Sequence, residues 1–174
     1  MANPNRPRGF QFAKTTHGRS PQMRKYLSDG AVAIYEGDVL DIDTEGHVAS
    51  VTSTEDEPIG VAASAQPTTG DTTAEVWVYD DLANTVFVAQ CDGADILGDS
   101  QMYSNCGVLT TAGSTATAQS VMEIDSSQVT STIGLAVLLL RRVENPQNEW
   151  GGNVDLECQF IVDEFAIQRD AIAT

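Results

Sequence analysis

From Ala31 to Val162 the chain never sustains one hydrophobic pattern for long. Short β-branched and aromatic runs alternate with Gly, Pro, Asp and Asn, and this punctuation constrains the fold more than any other feature. The runs are Ala31–Tyr35, Val39–Ile42, Val48–Thr52, Ile59–Ala63, Glu75–Tyr79, Thr85–Gln90, Ser120–Ile124, Leu135–Leu140 and Val154–Val162, with a small-residue loop or hairpin over Gly107–Thr117. In the last run Val154, Leu156, Cys158 and Phe160 alternate with Asp155, Glu157 and Gln159, the period of a half-buried strand. Helical periodicity is weak and confined to Asp95–Asn105 and Phe165–Ile172. The pattern predicts an all-β, jelly-roll-like sandwich or barrel. A hydrophobic fraction of 41% over 174 residues is enough to build its core.

Charge divides the chain in two. Residues 1–25 hold Arg6, Arg8, Lys14, Arg19, Arg24 and Lys25 and no acid. Residues 26–174 hold three basic and twenty-five acidic side chains, a balance of −22. The basic segment also carries Pro4, Pro7, Pro21, Gly9 and Gly18, which no helix tolerates. It reads as an extended N-terminal arm over 1–25 on an acidic β-domain over 26–174. The arm is either a disordered tail or a segment that orders on a partner, with Phe10 and Phe12 as apolar anchors. An acidic body excludes nucleic acid as the main partner, because phosphate binding needs clustered cations. No apolar stretch approaches the ~18 residues of a membrane span.

Chemistry-bearing patterns are incomplete. Asp41, Asp43, Glu45 and Gly46 match the start of a calcium loop, but its twelfth position is Thr52, and a hairpin turn explains the same residues. Asp80, Asp81, Asp92, Asp95 and Asp99 bracket the strand of the stretch DDLANTVFVAQCDG and are explained as turn formers. His17 and His47 are the only histidines, too few for a histidine-ligated metal enzyme. Cys91 sits beside Asp92, which disfavours a thiolate nucleophile. Cys91, Cys106 and Cys158 lack a disulfide or zinc spacing and read as reduced core residues of a protein made in a cytoplasm. Trp77, mid-strand, is expected in the core. Arg141 and Arg142 close the LAVLLL run, either snorkelling at a strand end or making an inter-subunit ion pair. No nucleophile elbow, phosphate loop or dinucleotide fingerprint occurs, so neither catalysis nor a cofactor or metal is expected.

Several segments occur in a telling order: MANPNRPRGF, Tyr35-Glu36-Gly37-Asp38-Val39, Glu57-Pro58-Ile59-Gly60-Val61, DDLANTVFVAQCDG, Ser120 with Met122–Asp125, and LLLRRVENPQNEWG. Together they resemble the tailed-phage structural cement, or capsid decoration, proteins over most of the chain. The strand Phe87-Val88-Ala89-Gln90 departs where an acid often precedes the Gln, and FAIQRDAIAT extends past the similarity. The resemblance implies a non-enzymatic virion protein on the outside of an icosahedral shell, bridging major capsid protein subunits. It also implies a homo-oligomer, a dimer ahead of a trimer. On this reading Arg6, Arg8, Phe10, Phe12, Lys14, Arg19, Arg24 and Lys25 of the arm, with Arg141 and Arg142, meet the capsid protein or a neighbouring subunit. The alternative is a virion-surface adhesion domain that binds glycans through exposed aromatics. A third reading, a β-barrel hydrolase, would require one specific catalytic carboxylate.

Overall fold

The computed structural model describes residues 3–53, 57–67, 70–93, 96, 98–129 and 136–161. Eleven strands are described: β1 (Gln11–Thr15), β2 (Met23–Leu27), β3 (Val39–Ile42), β4 (Val48–Ser50), β5 (Gly60–Ala62), β6 (Glu75–Tyr79), β7 (Thr85–Gln90), β8 (Asn105–Leu109), β9 (Glu123–Asp125), β10 (Ala136–Arg142) and β11 (Asp155–Phe160). They form two antiparallel sheets. One is six-stranded in the order β1-β7-β11-β10-β8-β9, the other five-stranded in the order β2-β6-β5-β3-β4. The protein is all-β, as the turn-punctuated pattern predicts.

Two apolar clusters hold the sheets. Alternate residues of the larger sheet (Phe87, Ala89, Cys106, Val108, Val137, Leu139, Leu156, Cys158, Phe160) meet Val39 and Val61 of the smaller one. Leu40, Ala62, Val76 and Val78 point the other way and pack with Ile34 and Val48 into a second cluster. The smaller sheet is therefore apolar on both faces, which is why Val39-Leu40 and Val61-Ala62 are unbroken apolar pairs instead of alternating with polar residues. Its second face lies against irregular chain, tied down where Ile34 and Gln66 exchange backbone hydrogen bonds of 2.9 and 2.7 Å.

The arm expected over residues 1–25 is not separate from the body. Residues 11–15 are β1, an edge strand paired with β7, and the expected boundary after Lys25 falls inside β2, paired with β6. Phe10, expected on a partner, is 1% exposed in the inter-sheet core. Its ring lies 5.0 Å from that of Phe160. Phe12 stacks on Tyr79 at 5.3 Å, and Tyr79 and Phe160 both meet Phe87 edge-on. These rings anchor the segment to both sheets of its own chain. The physical reason is apolar burial of Phe10 and Phe12, helped by the ion pairs of Lys14, Arg24 and Lys25. A basic segment tethered to an acidic body meets that body at high effective concentration before it meets any partner.

Three further expectations are corrected. Ala31–Tyr35 is not a strand; Ile34 makes an isolated bridge while Val32 stays 45% exposed. Among the described residues of Asp95–Asn105 there is a single 3-10 turn, Asp99–Gln101, leading into β8. Trp77 is 43% exposed, because Val76 and Val78 take the buried face of β6 and alternation sends Trp77 to the other. Lys25 lies over its ring at 5.3 Å. Phe165–Ile172 lies outside the described residues.

Candidate partner-binding surface

The six cations expected on the arm divide into two sets. Lys14 pairs with Glu157 at 2.6 Å, Arg24 with Asp80 at 3.0 Å and Lys25 with Glu75 at 2.5 Å. Each serves its own body. Arg6, Arg8 and Arg19 are exposed, and among the described residues none of their side chains makes an ion pair. Arg141 and Arg142 also find partners inside the chain. Arg141 joins Glu157 at 2.7 Å, while Arg142 donates to the Asn148 carbonyl and lies over Trp150 at 5.3 Å. A bulge in β10 between Leu139 and Arg141 sets Arg141 opposite Glu157. Both arginines thus meet groups of their own chain, Arg141 a carboxylate and Arg142 a carbonyl and an indole ring.

Glu157 is the hub of one ion network, 9% exposed and held by Arg141 and Lys14 from the two sides of β11. Hydrogen bonding from Arg141, then from Lys14, holds its carboxyl below the ordinary glutamate value. A lowered folded value means that its stabilisation is present above the unfolded value and is lost as pH falls from there through the folded one. Asp38 has the opposite sign. Burial pushes its carboxyl up, although Ser120, Tyr35 and Ser50 donate to it. Its contribution is present below the unfolded value and is lost as pH rises through the folded one. Urea midpoints taken from pH 6 down to pH 3 should fall less steeply in Glu157→Gln than in the native chain. Parallel slopes would remove Glu157 as a source of the acid sensitivity.

The free arginines Arg6 and Arg8 border a polar groove of about 340 Å³, which continues into a recess of about 260 Å³ along Val88 and Ala89. Three distant pieces of chain build it. Asn3 donates to the carbonyls of Glu149 and Gly152 at 2.7 and 3.1 Å and accepts from the Glu149 N–H at 2.9 Å. Gln90, at the end of β7, accepts from the Arg6 N–H at 2.8 Å and donates to the Pro4 carbonyl at 3.2 Å and Asp155 Oδ1 at 3.4 Å. Asn148 is 4% exposed and closes the β10–β11 connection. Its Nδ2 donates to the Val143 and Asp155 carbonyls at 2.9 and 2.8 Å, and its Oδ1 accepts from the Asp155 N–H at 2.9 Å. The amides of Asn3, Gln90 and Asn148 are thus spent on the frame, while the two guanidinium groups are not.

Neither a family model, nor a curated protein, nor a solved structure matches the chain.

The groove was not foreseen, yet its builders lie in three of the segments that carry the resemblance: MANPNRPRGF, DDLANTVFVAQCDG and LLLRRVENPQNEWG. Asn148→Ala should cost about 2–4 kcal/mol, because a buried backbone N–H and two carbonyls lose their shared partner. Denaturant titration checks it, and a loss under 1 kcal/mol would mean that water replaces the amide.

The acidic stretches do not assemble one site. Asp80 is held by Arg24 and by Tyr26 Oη at 3.2 Å, Asp81 accepts from Asn84 at 2.9 Å, and Asp92 accepts from the Ser126 N–H at 2.8 Å. These acids flank the two ends of β7, a six-residue strand about 20 Å long, so they cannot converge on one ion. Asp95 lies outside the described residues. The stretch starting at Asp41 is the β3–β4 hairpin, with Gly46 at φ 86° as a turn requires. Asp43, Glu45 and His47 group there at the surface, with Asp43 Oδ1 accepting from the Glu45 and His47 N–H groups at 2.8 Å each. Cys91, Cys106 and Cys158 are free and buried, and burial raises all three thiols, Cys106 to about 12. Raised thiol values oppose thiolate chemistry at these positions.

Proposed function

We propose that this protein is a capsid decoration protein, a non-enzymatic structural component that coats the outside of a viral shell and bridges its subunits. The observation that carries the reading is the fixed N-terminal segment. Phe10 and Phe12 lock it onto the sandwich, and it presents Arg6, Arg8 and Arg19 without an acid among the described residues, on a molecule of net charge −16. Free cations on one pre-ordered segment give a defined docking edge at small entropic cost, while the acidic remainder keeps neighbouring copies apart and the coated particle dispersed. The ordered resemblance to structural cement proteins supports the same reading, and the partner is then the major capsid protein.

The test is decoration in vitro. The purified chain is mixed with undecorated shells of the virus whose genome encodes it, and bound copies are counted after sedimentation. Saturation at a fixed ratio of copies to capsid subunits is the expected result. Failure to co-sediment at micromolar concentration would overturn the reading.

Adhesion to glycans is the second reading, favoured by two exposed aromatics, Trp77 at 43% and Tyr103 at 76%. They stand on different sheets, Trp77 in β6 and Tyr103 bound through its N–H to the Leu139 carbonyl of β10. A glycan array separates the readings: binding there without shell binding favours adhesion.

A further inference from the structure

We infer that the groove beside Arg6 and Arg8 binds an extended peptide segment of the partner that carries two carboxylates in a Glu-x-Glu spacing. The inference deepens the capsid reading and rests on it for the identity of the partner. Three observations lead to this chemistry. First, twenty-five acids compete for nine basic residues in this chain, yet the side chains of Arg6 and Arg8 are left without an acid among the described residues. Asp155, on the same groove, has its Oδ1 engaged by Gln90 and makes no ion pair with either. Second, the two arginines are two residues apart in a segment with no helical turn. Two residues of chain span at most about 7 Å, so the two arginines fall within the repeat of alternate side chains on an extended peptide. Third, the segment is held in place, by Gln90 on the Arg6 N–H and by Gln11 on the Arg8 carbonyl at 2.7 Å. The guanidinium groups are thus offered from a fixed backbone.

The remaining lining favours a peptide over a sugar or a nucleic acid. Among the described residues no aromatic side chain lines the groove or its recess, so they offer neither a pyranose ring nor a base a stacking platform. Asn145 and Gln147 add side-chain amides, the groups that pair with peptide N–H and C=O. The strong negative charge of the body sets the ligand's composition. A long polyanion is strongly repelled, whereas a short segment with only two spaced acids gains two charge-assisted contacts against a smaller repulsion.

The test uses the full chain with three fluorescein-labelled probes: the peptide Ser-Glu-Ser-Glu-Ser, its Ser-Gln-Ser-Gln-Ser counterpart and trigalacturonate. Fluorescence anisotropy is read at 50 mM salt, and shell decoration is measured in parallel. Arg6→Gln/Arg8→Gln is the test variant, and His17→Gln, an exposed position that does not line the groove, is the control. Unchanged thermal unfolding verifies that the double variant folds. The expected result is binding of the glutamate peptide, at least about tenfold weaker in the double variant and unchanged in His17→Gln. The glutamine peptide should bind at least about tenfold more weakly than the glutamate one. Equal binding by the double variant, no binding of the glutamate peptide, or tighter binding of trigalacturonate would each overturn the inference. If the native chain ignores shells but discriminates the peptides through Arg6 and Arg8, the capsid reading fails and the groove stands. If shells are decorated equally by both forms, the groove inference fails and the capsid reading stands.

Discussion

Phe10→Ala should lower the unfolding free energy by about 3–5 kcal/mol, the range for deleting a buried phenyl ring. Phe10 is 1% exposed, touches the Phe160 ring at 5.0 Å, and belongs to the same apolar cluster as Phe87 and Leu156. Removing it leaves a cavity where the two sheets and the N-terminal segment meet, and β1, an edge strand with one neighbour, has little else to hold its entry. Equilibrium urea denaturation measures the loss. A separate arm would give a change within about 0.5 kcal/mol, the value for surface positions, so the experiment decides whether residues 3–15 belong to the folded body. Truncation is a poor probe of docking for the same reason. Deleting residues 1–25 removes β1, most of β2 and a core phenylalanine, and lost shell binding would then report unfolding. Substitutions at Arg6 and Arg8 avoid this, because their side chains are exposed.

Gly9→Ala should cost about 2–4 kcal/mol, combining backbone strain with overpacking. Gly9 has φ 69°, and a Cβ there would lie 2.4 Å from Ser120 Cβ and 2.5 Å from the Gly37 carbonyl oxygen. That carbonyl accepts the Phe10 N–H at 2.9 Å, so relieving the clash pulls the segment off the turn that seats Phe10. The melting temperature should fall, and the groove beside Arg8 should lose its fixed wall. Gly18→Ala is the control. Gly18 has a similar φ of 66° but meets nothing within 4 Å, so it carries the strain without the clash. Equal losses at both positions would mean that close packing at Gly9 contributes nothing.

Legibility of the site differed sharply from legibility of the strands. Runs of β-branched and aromatic residues located Thr85–Gln90 to the residue and Glu75–Tyr79 likewise, because strand propensity is carried by the local residues themselves. The same signal failed at Ala31–Tyr35, where Ile34 covers the second face of the smaller sheet through an isolated bridge without joining a ladder. The groove was invisible in the chain order. Asn3, Gln90 and Asn148 lie 58 or more residues apart, and an isolated Asn or Gln reads as a turn or surface residue until its hydrogen-bond partners are known.

The sequence by itself determined the β class, the −16 charge and its concentration away from the first 25 residues, and the incompleteness of every catalytic or metal pattern. Tertiary structure decided where that charge is spent. Lys14, Arg24 and Lys25 meet acids of their own chain because folding brings β1 beside β7, β7 beside β11 and β2 beside β6, while Arg6 and Arg8 are placed over a groove whose frame amides, Asn3, Gln90 and Asn148, are already engaged. Composition counts charges, but only the register of the strands and the seating of Phe10 fix which cations are left for a partner.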